Sequence, residues 1–151
     1  MFRYFSSHFR ASIAALSLAL GFVWSGSAAH AFEATTRLTN VAITDRDVGQ
    51  ALSAGLDRAF DQTFPEQLYG VRVIVDAIDL RNGQMVIYMS LGLSRRLPNG
   101  QHLQQHATRS HALILPSAIA PQHQNEAVVD HLTQLAGAFS QAMTQNAGRV
   151  R

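Results

Sequence analysis

Three histidines stand close together, His102, His106 and His111, and clustered imidazoles raise the chemistry of a metal site. The segment that carries them, His102 to Leu115, follows an Asn99-Gly100 turn and reads as a strand. On a strand, His102 and His106 share a face but stand about 13 Å apart, too far to grip one ion. His111 then falls on the other face. On a helix the first pair could chelate, and Leu103, Ala107 and Ile114 fit a helical stripe, but the turn decides for the strand. Solvated or hydrogen-bonding histidines are expected, with no metal and no cofactor.

Two further groups invite chemistry. Asp76 lies among Ile74 and Ile78 in an apolar run, opposite Met89 and two strands from Ser110. A lone carboxylate buried there would be costly unless hydrogen-bonded. A strand irregularity or a bond to Ser110 accounts for it more simply than a hydrolase acid working with a neighbouring His. No second carboxylate stands at a glycosidase-like spacing. Arg95-Arg96 could grip a phosphate or carboxylate, although such a pair more often charges a hairpin edge against aggregation. No G-x-S-x-G, H-E-x-x-H or phosphate-loop pattern occurs, so an enzyme is not expected.

The elements that would position these groups follow from periodicity. Thr35 to Thr44 reads as a weak strand. Thr44 and Asp47 form a variant capping box, and Val48, Leu52, Leu56 and Phe60 recur every four residues as one helical stripe that ends before Phe64-Pro65. From Tyr69 the period becomes two, up to Asn82-Gly83. A second run, Met85 to Leu97, ends at Pro98-Asn99-Gly100, and a third is the histidine-bearing segment. After a loop with Pro116 and Pro121, Asn125 opens a helix with the stripe Val128, Leu132, Leu135, Phe139 and Met143, ended by Asn146-Ala147-Gly148. The expected fold is α+β, in the order β-α-β-β-β-α, with an antiparallel meander and two amphipathic helices packed on one face.

Two-residue turns at 82–83 and 99–100 would pair Ile78 with Ile87, Ile74 with Leu91, Ile87 with Ala112 and Met85 with Ile114. Ile74, Ile78, Leu80, Met85, Ile87, Met89, Leu91, Leu93 and Ile114 would then lie under the helices. Val71, Val73, Val75, Val86, Tyr88 and Leu113 would share the outer face with Ser90, Ser94, Arg96 and Arg109. That face is too apolar to be fully wet, so another element or a partner should cover it.

The chain's 151 residues are 47% hydrophobic and 15% charged, which excludes a disordered chain. Arg3 and Arg10 precede an apolar run from Ala11 to Trp24 and then Ala29-His30-Ala31, the pattern of a secretory signal peptide over residues 1–31. Cleavage is expected after Ala31. The run is too short for a bilayer span of ~20 residues, so no integral membrane span should remain. Loss of Arg3 and Arg10 leaves ten basic residues against ten acidic ones, which argues against a nucleic-acid partner. All twelve cationic residues are Arg. The absence of Cys excludes disulfides, thiol chemistry and a cysteine-anchored lipid. Residues 32–151 form one α+β domain in this reading, long enough to bury roughly two-thirds of the unfolded surface.

The element order over Thr35 to Gln145, with its two Asn-Gly turns and two helix stripes, resembles the small envelope-assembly proteins of Gram-negative bacteria. The lipopolysaccharide-assembly lipoproteins and the auxiliary lipoproteins of ABC-type lipid transporters are of this kind. This chain lacks their lipidated Cys, so the resemblance implies no membrane anchor. It implies a soluble periplasmic accessory or binding protein without catalysis, docking on an envelope protein or lipid component. Val71, Val73, Val75, Tyr88, Arg96 and Arg109 are the expected docking residues. The alternative is a carrier of an apolar ligand, such as a lipid, in a cavity lined by Leu52, Leu56, Met89, Leu132 and Phe139.

Overall fold

The computed structural model describes residues 34–103 and 107–150. The expected signal peptide, its cleavage after Ala31, and His106 lie outside the described residues. The order is β1 (Ala34–Thr39), α1 (Asp45–Gly55), α2 (Arg58–Thr63), β2 (Tyr69–Asp79), β3 (Gln84–Arg95), β4 (Ala107–Pro116), α3 (Pro121–Gln145) and α4 (Ala147–Val150). The strands form one sheet in the order β1-β2-β3-β4, with β2-β3-β4 an antiparallel meander and β1 parallel to β2. Parallel neighbours need a crossover between them, and α1 with α2 supplies it. The fold is α+β.

The first helical stripe is two helices rather than one. Asp57 adopts an extended backbone, and its Oδ1 accepts from Phe60 N–H at 2.8 Å, so it caps α2 and breaks the run. Periodicity carried across the break because Val48, Leu52 and Phe60 all still reach the core. The last long helix starts at Pro121, not Asn125, with proline in the first turn, where its missing N–H costs nothing.

Thr44 caps α1 as its type suggests. Its N–H and hydroxyl each donate to Asp47 Oδ2 at 2.8 Å, while Asp47 N–H donates to Thr44 Oγ1 at 3.3 Å. These bonds, the backbone N–H first and the hydroxyl next, hold the Asp47 carboxyl below its ordinary value, and the nearby Arg46 charge adds to them. A folded-state pKa below the unfolded one stabilises above the unfolded value, and the contribution fades as pH falls through the folded one. Asp47→Asn should therefore melt earlier than wild type near neutral pH. The gap should narrow in thermal melts on acidification from about pH 6 toward about pH 3.

Both hairpins form, but each turn holds three residues instead of two, and this inverts two strands. Leu80 N–H donates to Gln84 O, leaving Arg81, Asn82 and Gly83 as the loop, with Arg81 at φ 60° and Gly83 at φ 80°. Asn82 Oδ1 accepts from Gln84 N–H at 3.1 Å. Pro98-Asn99-Gly100 repeats the arrangement: Leu97 N–H donates to Gln101 O, Asn99 Oδ1 accepts from Gln101 N–H, and Gly100 has φ 78°. In each loop the Asn side chain takes the amide two residues on, and glycine occupies the left-handed position that closes a three-residue loop.

The first loop sets the observed pairs Ile78 with Val86 and Ile74 with Ser90. The β3–β4 pairs, Ile87 with Leu113 and Met85 with Leu115, are offset by two residues from the Arg96–His102 bridge beside the second loop. Both β2 and β4 thus end in the phase opposite to the expected one. A slip of one residue moves a strand's whole side-chain set to the other face. Val71, Val73, Val75 and Ala77 join Ile87, Met89, Leu91 and Leu93 beneath the helices, all at most 6% exposed. Ile74, Ile78 and Ile114 face outward.

Candidate functional site

The docking residues expected from sequence do not form one surface. Val71, Val73 and Val75 are core residues at 0–1% exposure, so the outer-face assignment is corrected for all three. Arg109 pairs with Leu91 on the helix side, and its Nη1 donates to Ala138 O of α3 at 3.4 Å. Tyr88 is on the outer face, and so is Arg96, whose bridge partner is His102. Arg95 and Arg96 are successive strand residues and point to opposite faces, so they cannot close on one anion.

Asp76 moves outward with its strand. It is half-buried opposite Tyr88 and Thr39, not beneath the helices, and its carboxylate makes no hydrogen bond among the described residues, Ser110 included. Among the described residues no histidine stands beside it. His102 is bonded to Ser94, whose partner Gly70 lies six residues along β2 from Asp76, about 20 Å at strand spacing. Among the described residues, then, Asp76 has no histidine partner for a hydrolase pairing.

The histidines also separate. His102 is on the outer face, and His111, opposite Met89, is on the helix side. There His111 stacks on His131 of α3 with ring centroids 5.5 Å apart, and His131 Nδ1 is 3.0 Å from Ala127 O. No group of three or more potential metal ligands occurs among the described residues.

Sequence reasoning missed the pairing of Ser94 Oγ with His102 Nδ1 at 3.0 Å. The two residues flank the Pro98-Asn99-Gly100 loop on one face, and a three-residue turn would have brought them together on paper. A hydroxyl hydrogen-bonded to an imidazole invites a nucleophile reading. However, Ser94 Oγ also donates to Gly70 O at 3.2 Å. While its one proton is engaged there, the contact with His102 requires the tautomer whose Nδ1–H donates to the oxygen. That is the wrong polarity for activation, and the pair braces the hairpin.

The carrier alternative requires a cavity between helices and sheet. Leu52, Met89, Leu132 and Phe139 are at most 3% exposed and Leu56 packs against them, all within one core cluster. Among the described residues these side chains belong to one packed core cluster, and none of them lines the cleft on the outer face.

What remains is the outer face, which has two ends of different chemistry. At one end Ile78, Val86 and Ile114 lie in a row across three strands, with Tyr88 in the next row and Leu80 beyond the strand end. Ile114 is 60% exposed, Ile78 53%, Leu80 43% and Tyr88 41%. At the other end a cleft of about 660 Å³ is lined by Thr35, Thr36, Arg37, Arg72, Ser94, His102 and Leu103. Among the described residues no helix is long and apolar enough to cross a membrane.

No protein-family model matches the sequence, and no curated protein matches it. The fold is similar to two solved structures at low identity. One is a candidate lipoprotein from Caulobacter crescentus CB15, with 13% identity and a TM-score of 0.33, covering 76% of this chain and 86% of that one. The other is a minor lipoprotein from Acinetobacter baumannii, with 11% identity and a TM-score of 0.36, covering 74% of this chain and 89% of that one.

Proposed function

We propose that this chain is an exported, non-catalytic binding protein of the bacterial cell envelope. In this reading it is one domain over residues 32–151, released into the periplasm, and it docks on an envelope protein or lipid component through the outer face of its sheet. The observation that carries the reading is the outward-facing apolar row of exposed Ile78 and Ile114 with half-buried Val86 between them, flanked by Tyr88 and Leu80. Folded monomers rarely leave a contiguous apolar patch in water unless something covers it. The signal-like first segment supplies the compartment.

The test purifies the protein from its native host and identifies its companion by native mass spectrometry. An envelope component should co-purify with the wild type. Ile78→Asp with Ile114→Asp should weaken that association by about tenfold or more, while the thermal melt stays close to wild type because both positions are exposed. A folded double variant that retains its companion would remove the row from the docking surface.

A further inference from the structure

We infer that the cationic end of the outer face is a binding site for a doubly charged phosphate group, held between Arg37 and Arg72. This deepens the reading of that face as a binding surface by naming the chemistry of what sits on it. The two arginines are 35 positions apart in sequence and meet only through the parallel pairing of β1 with β2. Thr35 pairs with Arg72 and Arg37 with Ile74, so the arginines are diagonal neighbours on one face, with Cα atoms about 8 Å apart. Two extended guanidinium side chains can converge on one group across that span.

On the cleft side of the pair the surroundings favour an anion. Asp76, the other diagonal neighbour of Arg37 on this face, lies on the far side of it and does not line the cleft. Both arginines are exposed, and neither guanidinium has an ion pair or hydrogen bond among the described residues. No acidic side chain lines the cleft among those residues. Gly92, beside Arg72 in the next strand, adds no side chain to the row. Two like charges held this close repel each other, and a bound anion relieves the repulsion. A carboxylate would balance only one of them. A phosphate monoester carries nearly two negative charges and three acceptor oxygens, which suits two planar forks together with the Thr35 hydroxyl. The cleft, at about 660 Å³, has room for the group that carries the phosphate.

The same phosphate could be free in solution or borne on a lipid, and the test separates these. The full chain is titrated with inorganic phosphate at constant ionic strength and followed by amide NMR shifts. Saturable shifts are expected at Thr35, Arg37 and Arg72. Arg37→Gln or Arg72→Gln should each weaken binding about tenfold or more. Arg95→Gln, which alters a charge on the opposite face, should bind as wild type.

In a second arm, flotation with phosphatidylcholine vesicles is compared with and without phosphatidic acid. Flotation that depends on phosphatidic acid and is lost in the R37Q/R72Q variant assigns a lipid headgroup. Binding of inorganic phosphate without such flotation assigns a soluble phosphate ester. No saturable binding in either arm, or equal binding by a folded R37Q/R72Q variant, overturns the inference. The apolar row is about 20 Å away along the strand, so the I78D/I114D variant should still bind phosphate. Loss of docking with phosphate binding intact would therefore count against the arginine cleft as the docking determinant and leave the phosphate site standing.

Discussion

Phe139→Ala is expected to lower the unfolding free energy by about 3–5 kcal/mol. Phe139 is 0% exposed and lies on the buried stripe of α3. Its ring is 5.7 Å from that of Phe60, which is 5.2 Å from Phe64, and Phe64 meets Tyr69 edge-on at 5.2 Å and 82°. This aromatic chain joins α3 to α2, to the segment after it and to the first residue of β2. Truncation would remove one ring from the cluster and leave a cavity among residues already fixed by other contacts, so little collapse can refill it. Aromatic pairs add about 0.5–1.5 kcal/mol beyond area burial, so Phe139→Leu should lose less than Phe139→Ala but more than nothing. Domains of this size hold about 5–15 kcal/mol in total, and the alanine variant would sit near the margin. Urea unfolding reads the effect as a fall in midpoint at unchanged slope. A loss below about 1 kcal/mol would mean that the helices do not depend on this cluster.

The helix stripes were legible because apolar residues three and four apart can serve one face only. Val48, Leu52, Phe60, Val128, Leu132, Leu135, Phe139 and Met143 are all buried as that pattern requires. The strands were harder to read because β2 is apolar in both phases, Val71-Val73-Val75 on one and Ile74-Ile78 on the other. Counting across an assumed two-residue turn chose the wrong phase. The charges held better information: Arg72 and Asp76 share the phase of Ile74 and Ile78, and burying two charges under helices costs far more than exposing two isoleucines. β3 was oriented correctly because its inner phase, Ile87, Met89, Leu91 and Leu93, has no polar competitor, whereas the outer phase carries Ser90, Gly92 and Ser94. The Arg37–Arg72 neighbourhood could not be read at all, since a parallel partner of a short edge strand leaves no local signature. The adjacent Arg95-Arg96 drew attention instead, although alternation sends such a pair to opposite faces.

Gly55→Ala should destabilise the protein by about 1–3 kcal/mol, and Gly55→Val by more. A Cβ on Gly55 would stand 2.5 Å from Ala136 Cβ, 2.5 Å from Thr133 O and 3.1 Å from Gly137 N. Two of these three atoms belong to the backbone of α3, which cannot rotate away as a side chain tip can. Room can come only from moving the end of α1 off α3. That motion would strain the residues just beyond it, where Asp57 N–H donates to the fully buried Ser140 Oγ at 3.4 Å and Asp57 caps α2. Gly49 is the internal control. It lies in the same helix with nothing within 4 Å of its added Cβ, so Gly49→Ala meets no obstacle and gains helix propensity, stabilising by about 0.5–1 kcal/mol. The same chemical change in one helix is thus expected to shift the urea midpoint down at position 55 and up at position 49. Equal shifts at both would mean that propensity alone governs α1. Opposite shifts would place the closest helix–helix approach at Gly55, where α1 must stop for the chain to turn toward β2.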